Sequence, residues 1–340
     1  MATISASTLP TLSDLSKATD RSGGVTSIVE MLNEKNAVID SMPYMAGNLP
    51  WGTQISVRTG LPVPTWRAIN QPVQSSKSEF AQMTFNTAEL TQFVNIDRTL
   101  ANQNGNAAAF RALQDKGAME AMSQAIANEL FYGNEATNPN GFTGLSNYYR
   151  SLAGHALSDN VISVKDSLGT GSGTDFTSIW LIMWGEDYIC GITPKGMPSG
   201  VQARDWGERL LQSSEGQLPV YTSEVMYNGG LCIADWRYAV RLPNLTPSVG
   251  VTGITDTTPT FSTLPELMHQ AMSRMPQTGS GKCWWYMSRQ AKMVFEQSLS
   301  RLSAESGLSQ EMIGGKTMTT WMGYPIGTCD ALSVVEGEVT

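Results

Sequence analysis

Charge is what this chain has least of. Only 15% of its 340 residues are Asp, Glu, Lys or Arg, against roughly 25% in an ordinary soluble protein. A surface so poor in charge suits a chain that buries much of it against other subunits, although an uncharged globular protein fits composition alone equally well. Basic clusters are missing too: the net charge is −8, the pI is about 4.9, and no Lys/Arg run occurs. A protein that grips or reads DNA needs cations to displace counterions from phosphate, so tight or sequence-specific nucleic-acid binding is excluded, while loose containment of DNA is not.

Metal-binding residue types are equally scarce. The two histidines, His155 and His269, have no His, Cys or carboxylate at metal spacing, so zinc-type sites are not expected. The four cysteines, Cys190, Cys232, Cys283 and Cys329, form no CxxC pair and read as reduced, mostly buried thiols. The N-terminal stretch has neither a basic nor an apolar signal-peptide region, and no run of 18 apolar residues occurs. Neither secretion nor a membrane helix is expected, and the sequon at Asn244 carries no meaning without secretion.

Catalytic templates fail one by one. Gly169-Thr-Gly-Ser-Gly173 has its glycines in the wrong frame for a nucleophile elbow. Gly315-Lys316-Thr317 resembles the end of a phosphate loop, but Gln310 stands where the motif needs its first glycine. Gly279-Ser-Gly-Lys282 is followed by Cys283 in place of Ser or Thr. No GxGxxG opens a strand-to-helix unit. Glu208, Glu215, Glu224 and Asp235 are scattered carboxylates that no local pattern pairs. No catalytic, cofactor-binding or metal residue is assigned.

What is present is an order of segments. Residues 1–36 are polar, with room for one short helix near 25–33. Thr53, Ile55, Val57 and Thr59 alternate with polar residues, as do Ala81, Met83 and Phe85. This predicts two half-buried strands of a long hairpin, with an open, Pro-punctuated tip around Trp66–Lys77. The hairpin is either an edge of the chain's own sheet or, as we favour, a loop that lies on a neighbouring subunit, because an isolated hairpin is marginal in water. Residues 105–132 predict a long helix with Asn104 as N-cap, Met119, Met122, Ile126 and Leu130 on its core face, and the pairs Arg111/Asp115 and Lys116/Glu120 on its polar face. A Gly-rich turn, Gly141-Phe-Thr-Gly-Leu145, and a polar loop at 154–175 follow. Strands are expected at Ser178–Trp184 and Tyr188–Thr193, then a polar segment Pro194–Trp206. A hairpin-like pair is expected at Leu218–Tyr227 and Gly230–Arg241, followed by a linker at Pro243–Thr260. The last block predicts a helix around Leu264–Met275, a strand at Cys283–Met287, a helix at Arg289–Leu302, helix and turn over Leu302–Met312, and a strand pair after Gly323.

Particular motifs resemble those of the major capsid proteins of tailed double-stranded-DNA phages. They are Leu49-Pro-Trp-Gly-Thr-Gln-Ile-Ser-Val-Arg-Thr-Gly-Leu61 with Thr65-Trp-Arg67, Leu130-Phe-Tyr-Gly-Asn134 with Phe142-Thr-Gly-Leu145, Ser178-Ile-Trp180 with Gly191-Ile-Thr-Pro-Lys-Gly196, and Trp321-Met-Gly-Tyr-Pro-Ile-Gly327. Together they span about residues 40–335. The resemblance implies an α+β chain with the Hong Kong 97-like capsid fold. Its parts would be an N-terminal arm (1–45), an extended loop hairpin (46–97), a peripheral domain with the spine helix 105–132 (98–260), and an axial domain with a return strand (261–340). The strand block around Trp180–Arg241 precedes the Gly-Tyr-Pro strand, where most of that fold family has the reverse, which implies rearranged connectivity. The implied function is an icosahedral head shell in the virion, assembled in the host cytoplasm from pentamers and hexamers of this chain. The implied partners are scaffold, portal and decoration proteins and packaged double-stranded DNA, with no membrane, no cofactor and no enzymatic activity. Lys77 lies near the loop tip, but no motif supplies a cross-linking partner. The alternatives are an encapsulin-like compartment shell, which needs a cargo-peptide site, and a carboxylate-dependent hydrolase, which needs a deep pocket with raised carboxyl pKa values.

Overall fold

A computed structural model describes residues 9–12, 14–15, 34–103, 107–164, 175–213, 216–246, 264–276, 281–301, 308–313 and 316–340. The short helix expected near 25–33, the N-cap Asn104 and most of the 243–260 linker lie outside these residues.

The centre of the molecule is strand β5 (Thr177–Trp184), buried at every position. Successive side chains of a strand point to opposite faces, and here both faces are covered. Trp180, Ile182 and Trp184 enter one core, and Ile179, Leu181 and Met183 enter another. That is why the segment reads as an unbroken apolar run. The first core is closed by α1 (Ala37–Ser41), the C-terminal end of the long helix α3 (Ala107–Tyr132) and the turn carrying Phe142, Leu145 and Tyr149. The second is closed by helices α5 (Leu264–Arg274) and α6 (Arg289–Arg301).

Around β5 runs a mixed sheet. Strand β6 (Ile189–Thr193) lies on one side and β10 (Lys282–Met287) on the other, with β9 (Ala239–Leu245) also paired to β5. The sheet continues through β10 to β13 (Tyr324–Thr328), β12 (Lys316–Trp321) and β11 (Leu308–Ile313), and through β6 to β8 (Gly216–Ile233). The motif Trp321–Gly327 is a two-residue hairpin. Trp321 pairs with Tyr324 across Met322 and Gly323, both with positive φ (50° and 81°), the geometry of a type I′ turn.

The second core draws residues from both sides of position 260, among them Leu181 and Leu242 before it and Met268 and Phe295 after it. A cut at 260/261 therefore does not separate two cores. Val38 and Met42 are buried in the first core, and Leu15 packs on Ile96, Ala101 and Phe110 of its own chain. The apolar side chains found there dock locally.

Two strand expectations need correction. The expected pair at 218–227 and 230–241 is not a hairpin: residues 218–233 lie in one strand, β8, while 239–241 open β9, and the hairpin partner of β8 is β7 (Val201–Ser213), which begins within the segment read as polar. Leu308–Ile313 is a strand rather than helix and turn. An additional strand, β4 (Ala88–Asp97), leaves the hairpin and pairs with β8 from Ala88↔Gly229 to Asp97↔Val220.

Helix α3 spans 26 residues, about 39 Å at 1.5 Å per residue. Met122, Ile126 and Leu130 are buried as expected, but Met119 is exposed. Arg111 bonds Asp205 on β7 at 2.5 Å rather than Asp115, whose carboxylate accepts from Ser223. Glu120 accepts from the Glu34 amide and from Gln124. The polar face of α3 thus ties the helix to its sheet and to the chain entering α1.

Candidate assembly surface

Strands β2 (Gly52–Gly60) and β3 (Glu79–Asn86) form a two-stranded sheet of their own, registered from Gly52↔Asn86 to Gly60↔Glu79. They are not an edge of the main sheet. The root of this hairpin is fixed. Phe85 is buried against Tyr148, and Thr53 is buried beside it. The Asn48 side chain donates to the Gln54 carbonyl at 2.7 Å and accepts from its amide at 2.8 Å. A Cβ at Gly52 would sit 2.1 Å from the Phe85 carbonyl oxygen, so only glycine allows the strands to close there.

Away from the root the chain has no cover. Residues 61–68 and 71–78 have no regular structure, and Leu61, Val63, Trp66, Ile69 and Val73 are exposed, Trp66 completely. Phe80 and Met83 on β3 are also exposed, Phe80 under the Arg58 guanidinium at 5.2 Å. The alternation that predicted half-buried strands is present: its apolar face is covered at the root, where Phe85 and Ile55 meet the first core, and open farther out at Met83. Lys77 sits exposed at the tip. Large apolar side chains clustered on a projecting loop mark a surface that another molecule covers.

The residues weighed for chemistry have local roles. His155 caps the short 3-10 helix Ala156–Asn160, and His269 sits edge-on to Trp321 at 5.4 Å. Glu208 pairs with Arg98 at 2.7 Å, Glu224 accepts the Trp206 indole N–H at 2.6 Å, and Asp235 holds Arg237. Hydrogen bonds from the Arg237 side chain and amide hold the Asp235 carboxyl below its ordinary range against the opposing effect of burial. Lys316 begins β12, registered with Ile313. Glu215 and Gly315 lie outside the described residues. Among the described residues no three His, Cys, Asp or Glu side chains gather at a metal-sized point, and no helix is long and apolar enough to cross a membrane.

One open depression, about 420 Å³, is lined by Asn128, Tyr132, Arg241, Ser333 and Glu336. Its carboxylate is already committed. Arg241 Nη2 donates to Glu336 Oε2 at 2.9 Å, Tyr132 donates to Oε1 and Ser178 to Oε2, while Arg241 Nε and Nη1 reach Ser178 and the Tyr149 carbonyl. Burial, with the Glu336 charge second, pushes the Tyr132 phenol far above its ordinary pKa. This network clamps the C-terminal segment to β5, β9 and the end of α3. A smaller pocket, about 110 Å³, holds Glu129, whose carboxyl burial raises against the lowering effect of the Phe142 amide. Glu89, which accepts from the Thr91 hydroxyl at 3.1 Å, also lines this smaller pocket.

The comparisons agree with a shell subunit. The family model for major capsid protein GP7 matches residues 20–340. A chain of the bacteriophage Epsilon15 cryo-EM structure matches with a TM-score of 0.77 and 27% identity, covering 99% of each chain. Weaker matches are the capsid of bacteriophage JBD30 (TM-score 0.45, 8% identity, 90% of this chain and 95% of that one) and the holo-SrpI encapsulin complex of Synechococcus elongatus PCC 7942 (0.41, 9%, 69% and 95%). No curated protein matches. The chain belongs to the major capsid protein GP7 family: it has the Hong Kong 97-like fold and is a structural subunit of a phage capsid, not an enzyme.

Proposed function

We propose that this chain builds the closed icosahedral head shell as pentamers and hexamers, and that each subunit lays its 61–78 loop on a neighbour. The observation that carries this reading is the hairpin itself, with a root locked by Phe85 and Asn48 and a tip that exposes Leu61, Val63, Trp66 and Ile69. Burying such side chains yields roughly 1.5–3 kcal/mol each. A contact repeated by symmetry over a whole shell then needs no single tight interface.

In this reading α3 with β4, β7 and β8 is the peripheral part. The β5-centred sheet with α5 and α6 is the axial part, gathered around the rings. The connectivity would be a rearranged version of that common to the fold. Scaffold, portal and decoration proteins would meet the shell during assembly in the host cytoplasm. Packaged double-stranded DNA would be enclosed without sequence-specific contacts, which the net charge of −8 supports.

The test is deletion of Leu61–Ser78 with a short Gly-Ser bridge. The variant should keep its circular dichroism and its melting temperature, because none of these residues enters a core cluster, and should yield no shells. Shells formed at normal yield would refute the loop's role.

A further inference from the structure

Two of the cysteines meet. Strand β6 pairs with β8 on one side and with the short strand β1 (Tyr44–Ala46) on the other, and Cys190 on β6 is registered directly opposite Cys232 on β8. Side chains opposite each other stand on the same face of a sheet. Both cysteines are fully buried in the first core, and a hydrogen bond joins the two thiols. The other two have different surroundings: Cys283 is registered with Met183, and Cys329 donates to the Asn36 side-chain oxygen at 3.2 Å.

The backbone sets how far apart the pair stands. The Gly191 amide donates to the Pro43 carbonyl, toward β1, and the Tyr188 carbonyl accepts from the Ala234 amide, toward β8. Directions alternate along a strand, so Cys190 turns its own N–H and C=O toward β8 and exchanges both bonds with Cys232. Such pairs have Cα atoms about 5.5 Å apart, inside the roughly 4.4–6.8 Å that a disulfide spans. Their Cβ atoms, about 5.5 Å apart, must close to about 4 Å for the bond to form. A bridge here is reachable and strained, and strained disulfides are the ones that thiols readily reduce.

We propose that Cys190 and Cys232 form a redox-sensitive latch between β6 and β8, two thiols in reducing surroundings and a disulfide in oxidising ones such as a released capsid meets. The reaction is exchange with a low-molecular-weight disulfide. One cysteine thiolate attacks that disulfide, forms a mixed disulfide and releases one small thiolate. The second cysteine thiolate displaces the other small thiolate and closes the Cys190–Cys232 bond. The cysteines give up two protons and two electrons, and the small disulfide leaves as two thiols. Because both side chains are fully buried, the rate follows local opening of the first core. The bridge closes a loop of about 40 residues in the unfolded chain, which favours the folded state. The latch lies within one subunit and is independent of shell formation.

The test uses unassembled full-length subunits and glutathione disulfide, in urea below the unfolding transition so that local opening is frequent. After treatment and denaturation, two of the four thiols should no longer titrate. Peptide mapping should find Cys190 joined to Cys232. The melting temperature, measured after removal of urea, should rise by about 2–5 °C and return on addition of dithiothreitol. All four thiols still titrating, cysteines that stop as mixed disulfides, a bridge between any other pair, or an unchanged melting temperature in the bridged subunit would overturn the inference and leave the shell role intact.

Discussion

Substituting Glu336 by Gln probes a deeply buried ion pair. Arg241 and Glu336 are only 5% and 6% exposed, and each also bonds further groups. With Gln in place, the Arg241 charge stays among Trp180, Tyr149 and Ser178, its ring contact with Trp180 at 5.3 Å, but it has no counter-charge. Breaking a buried pair by removing one partner costs about 3–5 kcal/mol, because an uncompensated charge remains. Against a total stability of about 5–15 kcal/mol this is a large fraction. At this chain length it corresponds to a fall in melting temperature of roughly 4–7 °C. Replacing both residues, as Arg241→Met/Glu336→Leu, should cost clearly less than the single change, since no charge is left behind. Thermal and urea denaturation of unassembled subunits would measure both. A Glu336→Gln subunit within about 1 kcal/mol of the unaltered one, or a double variant as unstable as the sum of its singles, would refute the clamp.

Other outcomes follow from the titrating groups. Burial pushes the Cys283 and Cys329 thiols up to about 12, from an ordinary value near 9. A raised folded-state pKa means stability that is whole below the unfolded value and eroded as pH climbs toward the folded one. Urea midpoints should fall between about pH 9 and about pH 12, and fall less in Cys283→Ala/Cys329→Ala; equal slopes in the two proteins would refute this. At Asp205 the Gly207 amide, with Arg111 beside it, holds the carboxyl below its ordinary range. That contribution is present above the unfolded pKa and is lost as pH falls through the depressed one. Because the group is exposed it amounts to under about 1 kcal/mol, and the stability gap to Asp205→Asn should close in acid rather than widen.

The sequence made some elements legible for physical reasons. Strand β5 could be read from its unbroken run because it is sandwiched between two cores. The β2–β3 hairpin could be read from strict alternation, because the root of its apolar face, Ile55 and Phe85, packs on the first core. Helix α3 could be read from its period, with Met119 the exception. Strand β7 could not be read that way. It is largely exposed along its length, so nothing selects a period-two pattern, and its charged side chains serve the edge and the Trp206 stack. Strand β11 pairs with β12 while its apolar residues, Leu308, Met312 and Ile313, stand at helix-like spacing. The Arg241–Glu336 clamp joins residues 95 apart in sequence, a contact that no local motif announces. Strand β4 ends at Asp97↔Val220, short of the end of β8, and no local sequence signal marks that point.

The most direct test of the shell subunit and its loop is cryo-electron microscopy of the purified, unaltered chain under assembly conditions. Closed particles are expected, with density for residues 61–78 lying on an adjacent subunit. A chain that stays monomeric at high concentration, or particles in which that loop contacts only its own subunit, would contradict the assembly role given to the hairpin.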